Sequence, residues 1–338
     1  MKYSAIDLHS NNNVLVVSDE ADQVLVEKRL PNELNRVLEL LAPHRDELAG
    51  VVVESTYNWY WLVDGLMAAG YCVHLANTGA IKIYDGLKHS NDETDARHLA
   101  HLLRLGILRS GYICPPAERA LRDLARRRLQ LVRSRTAHIL SVENQLTRQT
   151  GRTIRSNDVK RLDAQALTAF GLPEDVTRGM SANVAVVQTL TGEIEKLEAR
   201  LLEAVKQMAG WDLLNSIPGI GKILATIILL EIGSIGRFTD VGNFASYARC
   251  VDSSRLSNGK KKGEGNTKNG NKYLSWAFVE AAHFAMRYCP EAKRFYAKKF
   301  AKTNGAVATK ALAHKLARAC YHMLKTGQPF DVKRCFAG

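Results

Sequence analysis

Four acids stand out by position. Asp7 lies near the end of an apolar run over residues 3–8, and Glu54 ends a second, continuous run over 49–54. Asp92 and Asp95 are spaced i, i+3, which puts both on one face of a helix start. Singly, each has a plain structural explanation: a solvated strand end, or an acid in a first helical turn. Together they do not, because three or four carboxylates at one spot cannot all stay ionised without cations. Hard oxygen donors at that density suit Mg²⁺ or Mn²⁺. Two such ions would stabilise the attacking and leaving oxygens of an in-line phosphoryl displacement. His9, beside Asp7, has two readings, a contact to a metal or phosphate and a solvated strand-end histidine, of which the second is the expectation. Ser253, Ser254 and Ser257 lie in a Lys/Gly/Asn stretch over 253–271 and by themselves read as solvated turn residues.

For the acids to meet, the elements that carry them must be neighbours. Runs over 3–8, 14–18 and 24–29 predict a three-stranded antiparallel meander, with a turn at 19–22. A helix over 33–41, a buried strand over 49–54, a helix over 60–69, a short strand over 71–75 and a helix over 92–105 follow. That order predicts an α/β domain with a mixed sheet. Strands one and four then lie side by side at the sheet centre, and the helix at 92 brings two more carboxylates to their ends.

Beyond Pro115 and Pro116 the pattern is helical. Residues 118–149 form a long, Arg-rich amphipathic helix, and 150–173 is looser. Val187, Leu190, Ile194, Leu197, Leu201, Ala204 and Met208 make a heptad seam. Two such helices can pair antiparallel within one chain or form a coiled coil between chains, and the sequence does not choose. Further helices are expected over 223–231, 272–287, 291–302 and 306–325, around the polar loop at 253–271. Three regions result: 1–112, a helical or coiled-coil stretch 113–208, and a mainly α region 209–338.

Charge names the partner class. Lys and Arg number 47 against 34 Asp and Glu, a net +13. Residues 97–161 hold fifteen basic residues against four acids, and 252–302 hold twelve against four. Such surpluses favour nucleic acid, since each neutralised phosphate releases counterions. No apolar run approaches the ~20 residues of a membrane span, and residues 1–10 carry no apolar leader core. The six scattered cysteines form no CxxC pair, which fits a reducing compartment. A cytoplasmic, nucleoid-associated protein without a membrane partner is the expectation.

The segments "AIDLHS", "VVVEST" and "NDETDARHLA" resemble the DEDD pattern of RNase H-like, RuvC-like domains. More narrowly, they resemble the N-terminal domain of a DEDD-plus-serine insertion-sequence transposase family that includes relatives of the Piv and MooV invertases. The resemblance implies that Asp7, Glu54, Asp92 and Asp95 are catalytic metal ligands. "LNSIPGIGKILATIILLEIG" at 214–233 carries the P-G-I-G turn of a helix-hairpin-helix-like element, which serves either as an inter-helix turn or as a phosphate contact. In the family it opens a C-terminal transposase domain with a serine-bearing basic loop. Lys268, Gly270 and Leu274 match that loop's exit, while Ser275 stands where Arg is usual and Arg249 where Gly is commoner.

The resemblance makes Ser257 the nucleophile, with Ser253 and Ser254 as alternatives. A serine hydroxyl needs activation at neutral pH, which carboxylate-held divalent ions supply, while Lys260, Lys261, Lys262, Lys268 and Lys272 steady the charge on the phosphate. An active site shared between the domains, acids from one and Ser257 from the other, is expected. Relatives use an element-encoded bridge RNA, and Arg126, Arg127, Arg128, Arg133 and Arg135 would suit RNA or DNA backbone. Strand exchange implies a homo-oligomer, a dimer or tetramer, which the heptad seam would support. Three other readings stay open: a metal-dependent nuclease of Holliday-junction-resolvase type, a site-specific invertase, and a non-enzymatic nucleic-acid-binding protein.

Overall fold

The first element, β1 (Lys2–Leu8), is the middle strand of a five-stranded sheet and already carries one of the acids. The computed structural model describes residues 1–77, 79, 81, 91–253, 255–263 and 269–336. The chain divides into two compact units, Met1–Pro116 and Ala117–Gly338.

In the first unit β1 is followed by β2 (Asn12–Ser18) and β3 (Val24–Pro31), the expected antiparallel meander. Then come α1 (Leu34–Leu41), β4 (Leu48–Glu54), α2 (Tyr60–Ala68), β5 (Val73–Ala76) and α3 (Asp92–Arg104). The order across the sheet is β3-β2-β1-β4-β5, with β4 parallel to both β1 and β5. A mixed sheet with β1 and β4 adjacent at its centre is what the sequence led us to expect.

Side chains alternate between sheet faces with period two, and the two faces have different work. Ile6, Leu8, Leu15, Val17, Val51 and Val53 pack with Val37, Leu41, Leu62 and Leu66 of α1 and α2. Ala5, Val14, Val16 and Val52 lie on the other face, under Ala96, Leu99 and Ala100 of α3. Alanines on both sides let the helix and sheet come close. Asp7 has the parity of Ala5 and Glu54 that of Val52, so both acids emerge on the α3 face.

The second unit begins with α4 (Pro116–Thr150), α5 (Ser156–Val159), α6 (Ala164–Thr168) and α7 (Glu174–Val205). The two long helices pair antiparallel within the chain. Arg128 bonds Glu198, Arg135 bonds Thr191 and His138 contacts Asn183, one sequence number rising as the other falls. The heptad seam is therefore turned inward: Val187, Ile194 and Leu201 are buried, while Leu190, Leu197, Ala204 and Met208 are half-buried. Of the two pairings the sequence left open, the intrachain one satisfies the seam, which then gives no support to an interchain coiled coil.

The unit continues with α8 (Trp211–Asn215), α9 (Lys222–Ile232) and α10 (Val241–Tyr247). After these come β6 (Arg255–Ser257), β7 (Lys260–Gly263), α11 (Lys272–Tyr288), α12 (Pro290–Phe300), α13 (Gly305–Thr326) and α14 (Val332–Phe336). The region expected over 113–208 joins 209–338 in this unit, because Ala125, Leu201 and Val205 share one core with Phe244, Phe278, Leu312 and Leu316. Among the described residues no helix is long and apolar enough to cross a membrane.

Candidate metal centre and serine hairpin

Asp7 is 3% exposed, and Glu54, on the adjacent parallel strand, hydrogen-bonds it. Burial, that bond, and the charges of Asp7 and Asp95 push the Glu54 carboxyl up to about 8. Burial and then the charges of Asp7 and Asp92 also raise Asp95. Without a cation, Glu54 thus holds a proton at neutral pH: these acids are too close to ionise together.

Asp92 and Asp95 reach this spot because α3 starts there and is fixed at both ends. At its N-terminus Asn91 and Thr94 form a reciprocal capping box, with Thr94 N donating to Asn91 Oδ1 and Asn91 N to Thr94 Oγ1, each at 2.9 Å. Farther along, Arg97 is bidentate to Glu27, and Arg104 binds Asp22 in the β2–β3 turn at 2.7 Å. A helix so held can present acids without drifting.

His9 departs from the expectation of a solvated strand end. Its Nε2 lies 3.2 Å from Asp7 Oδ2 and 3.2 Å from Asp92 Oδ2, without the alignment of a hydrogen bond to either. Its backbone carbonyl is clamped by Asn32 Nδ2 at 3.0 Å and Asn58 Nδ2 at 2.9 Å. Ligand atoms of Asp7, His9 and Asp92 all lie within 4.8 Å of one another. Arg29 also joins, its Nη2 2.7 Å from Asp92 Oδ2 and 3.5 Å from Glu93 Oε1. That bond leads the forces that hold the Asp92 carboxyl below its usual range. The alternation of β3 and the spacing of "DLH" were the only signals for Arg29 and His9, and neither specifies a contact across more than sixty residues. Crowded oxygen donors, one of them held protonated by burial and its acidic neighbours, fit a hard divalent cation.

Ser257 belongs to the second unit. The polar stretch read as a loop contains the hairpin β6–β7, whose paired residues Ser257 and Lys260 flank Asn258 and Gly259. Both turn residues have positive φ, 51° and 70°, the pattern of a two-residue type I′ turn for which Asn-Gly is the strongest sequence signal. The strands lack alternating apolar residues, which hid the hairpin. Ser257, Lys260 and Lys262 are exposed, as is Lys272 at the start of α11. Lys261 lies in β7, while Ser254 and Lys268 fall outside the described residues.

The hairpin's flanks are anchored. Asn271 caps α11 through bonds from Tyr273 N and Leu274 N, and its Nδ2 donates to the buried Glu231 at 2.7 Å. Arg249 adopts φ 53°, which explains why glycine is commoner there, and its Nε donates to Gly270 O at 3.0 Å. Ser275, standing where an arginine is usual, receives a bond from Lys310 of α13 at 3.2 Å.

The arginines of α4 divide. Arg126 is bidentate to Glu231 at 2.6 and 2.7 Å and lies 4.6 Å over the Tyr273 ring. Arg128 is bound to Glu198, and Arg135 is half-buried against Thr191. The sequence offered all five for nucleic acid, but only Arg127 and Arg133 are exposed. Distant carboxylates took Arg126 and Arg128, which linear charge counting cannot foresee. At the predicted P-G-I-G element, Ile217–Ile220 form a turn closed by Ile220 N to Ile217 O at 2.9 Å, with Gly219 at φ 92°. A Cβ on Gly219 would meet Ala281 O at 2.4 Å, whereas one on Gly221 would meet open space.

A mixed sheet whose central parallel strands and covering helix converge four acids defines an RNase H-like carboxylate protein. Residues 5–150 match the DEDD transposase family of IS110, and 211–297 match the Transposase IS116/IS110/IS902 family. The chain belongs to this family of DEDD transposases. It is 29% identical to a mini-circle protein of Streptomyces coelicolor named as the transposase for IS117, over 66% of this chain and 51% of that one. It is 25% identical to a Pseudomonas aeruginosa protein named as a family 20 transposase, over 78% and 80%. The match to an insertion element IS110 protein of S. coelicolor is 28% identical, over 40% and 34%. The chain thus spans about half the length of the IS117 relative.

Proposed function

We propose that this protein cleaves and rejoins DNA in the movement of an insertion element, through a serine nucleophile and a divalent-metal carboxylate site. The observation that carries the reading is the meeting of Asp7 and Glu54 on adjacent parallel strands with Asp92 and Asp95 of α3, where burial and then the bond and charge of Asp7 and the charge of Asp95 raise the Glu54 carboxyl. Asp7, Glu54, Asp92 and Asp95 hold Mg²⁺ or Mn²⁺. When bound, such ions supply charge neutralisation at a phosphodiester and lower the pKa of an attacking hydroxyl.

Ser257 Oγ forms a bond to phosphorus as the phosphorus–oxygen bond to the leaving strand breaks. The serine proton ends on the leaving hydroxyl. One phosphodiester replaces another, so the phosphoserine conserves the bond for rejoining when a second strand's hydroxyl attacks. Support for Ser257 comes from its place beside a tight turn, exposed, with Lys260 and Lys262 near it in the hairpin. Arg127 and Arg133 bind nucleic-acid backbone, and the open Gly221 backbone with exposed Lys222 suits a second phosphate contact. A bridge RNA guides target choice, and strand exchange between four DNA ends requires a homo-oligomer, a dimer or tetramer.

The test incubates full-length protein, its co-purified RNA, Mg²⁺ and labelled element-end DNA, and looks for a denaturation-resistant adduct. An adduct mapped to Ser257, absent in Ser257→Ala and Asp95→Asn while nucleic-acid binding persists, is the expected result. Metal-dependent cleavage without an adduct would replace serine chemistry with a water-using nuclease of resolvase type.

A further inference from the structure

Between α13 and the returning C-terminal segment lies a cavity of about 540 Å³ that shares no residue with the carboxylate centre or the serine hairpin. That size falls within the ~300–1,000 Å³ of small-molecule sites. Arg318 and His322 line it from one face of α13, spaced i, i+4, and Arg334 faces them from α14. Met323 and the half-buried Phe330 supply an apolar part.

The walls are built. Lys315 Nζ donates to Cys335 O at 2.8 Å and lies 5.1 Å over the Phe295 ring, stitching α14 to α13. Asp331, the acid of the lining, accepts from Arg334 N at 3.1 Å at the start of α14, so Lys315, Arg318 and Arg334 stand against a single lining carboxylate. Among the described residues, neither Arg318 nor Arg334 forms an ion pair within 4.0 Å. Two guanidiniums without an ion-pair partner among the described residues, beside the Phe330 ring, match a ligand with an anionic end and an aromatic end. Guanidinium forks suit phosphate, and bases stack or pack on such surfaces.

We infer that this cavity takes a nucleotide, its phosphate on Arg318 and Arg334 and its base against Phe330 and Met323. A nucleotide of an unpaired strand and a free mononucleotide present the same chemistry. The inference does not rest on serine recombination, and its failure would leave that reading intact.

Cys335 lines the cavity and gives a readout independent of activity. Full-length Cys72→Ser protein, which removes the exposed cysteine, is alkylated in the presence of AMP, a short single-stranded oligonucleotide, or inorganic phosphate. The expected result is protection of Cys335 by AMP, the oligonucleotide or both, and which of them protects identifies the source. In Arg318→Gln/Arg334→Gln the protecting ligand should bind about tenfold more weakly. Lys325→Gln, exposed on the same helix but outside the cavity, should bind as the parent does. Circular dichroism melts check that the double variant folds; single Arg318→Gln and Arg334→Gln proteins carry the test if it does not. Protection by inorganic phosphate equal to that by AMP would overturn the nucleotide in favour of a bare anion. Unchanged alkylation with both nucleotide ligands would overturn the site.

Discussion

Arg29 on β3 and Asp92 at the first turn of α3 are joined by a 2.7 Å ion pair, 63 residues apart in sequence. The same guanidinium donates to Asn12 Oδ1 at 2.8 Å, which steadies it from the neighbouring strand. A fixed cation therefore sits on one of the carboxylates assigned to metal, and a divalent ion must share Asp92 with it or displace it. Arg29→Ala is expected to tighten Mn²⁺ binding several-fold, measured by calorimetry on the full chain. Weaker binding in that variant would make Arg29 a supporting residue of the centre instead of a competitor.

The raised Glu54 carboxyl fixes the sign of a pH effect. In the folded protein Glu54 titrates at about 8, against about 4.5 unfolded, so between these values the native state binds more protons. Stability contributed by this group is complete below pH ~4.5 and is lost as pH rises through ~8. Thermal melts without divalent ions should fall across that window, and saturating Mg²⁺ should flatten the decline by favouring the ionised form. Glu54→Gln should remove the Glu54 contribution and weaken metal binding. A decline that Mg²⁺ leaves untouched would count against the assignment of these acids.

The arginines of α4 should separate into two kinds. Arg126→Ala strands the buried Glu231 and should cost about 3 kcal/mol or more of stability in chemical denaturation. Arg127→Ala and Arg133→Ala should each change stability by no more than ~0.5 kcal/mol. Each should also make nucleic-acid binding less salt-dependent, lowering the slope by about 0.7–0.9 for every phosphate that the side chain neutralised. An unchanged slope in both would move the nucleic-acid surface elsewhere.

Gly219 is held at φ 92° with Ala281 O where a Cβ would stand. Gly219→Ala should destabilise by about 3 kcal/mol or more, while Gly221→Ala, pointing to open space, should be nearly neutral in melts. Similar losses in both would mean that the turn is not packed on α11 as described.

What could be read from the sequence follows from which interactions are local. Period-two runs in β1 and β4 and the i, i+3 spacing of Asp92 and Asp95 are local patterns, and they placed the four acids on one face in the right strand order. The family motifs then attached roles to them. His9, Arg29 and the Arg126–Glu231 pair are long-range contacts between polar residues, with no periodicity to betray them. The hairpin carrying Ser257 was local, yet its Asn-Gly turn was flanked by lysines instead of alternating apolar residues. The heptad seam was legible, but its partner was not, because an antiparallel neighbour in the chain and a second copy satisfy the same pattern.

That antiparallel pair has an uneven grip along its length. Ala125, Leu201 and Val205 tie one end into the large core of the second unit, whereas Ile139, Val142, Leu146, Met180, Val184 and Val187 form a separate cluster with Val159, Leu162 and Leu167 at the other. Between them Arg128 meets Glu198 and Arg135 meets Thr191, and the buried Leu129 and Ile194 there belong to neither cluster. Cooperativity follows contiguous apolar contact, so the far end is its own foldon. Its amides should exchange with deuterium through an opening that leaves the rest of the unit closed.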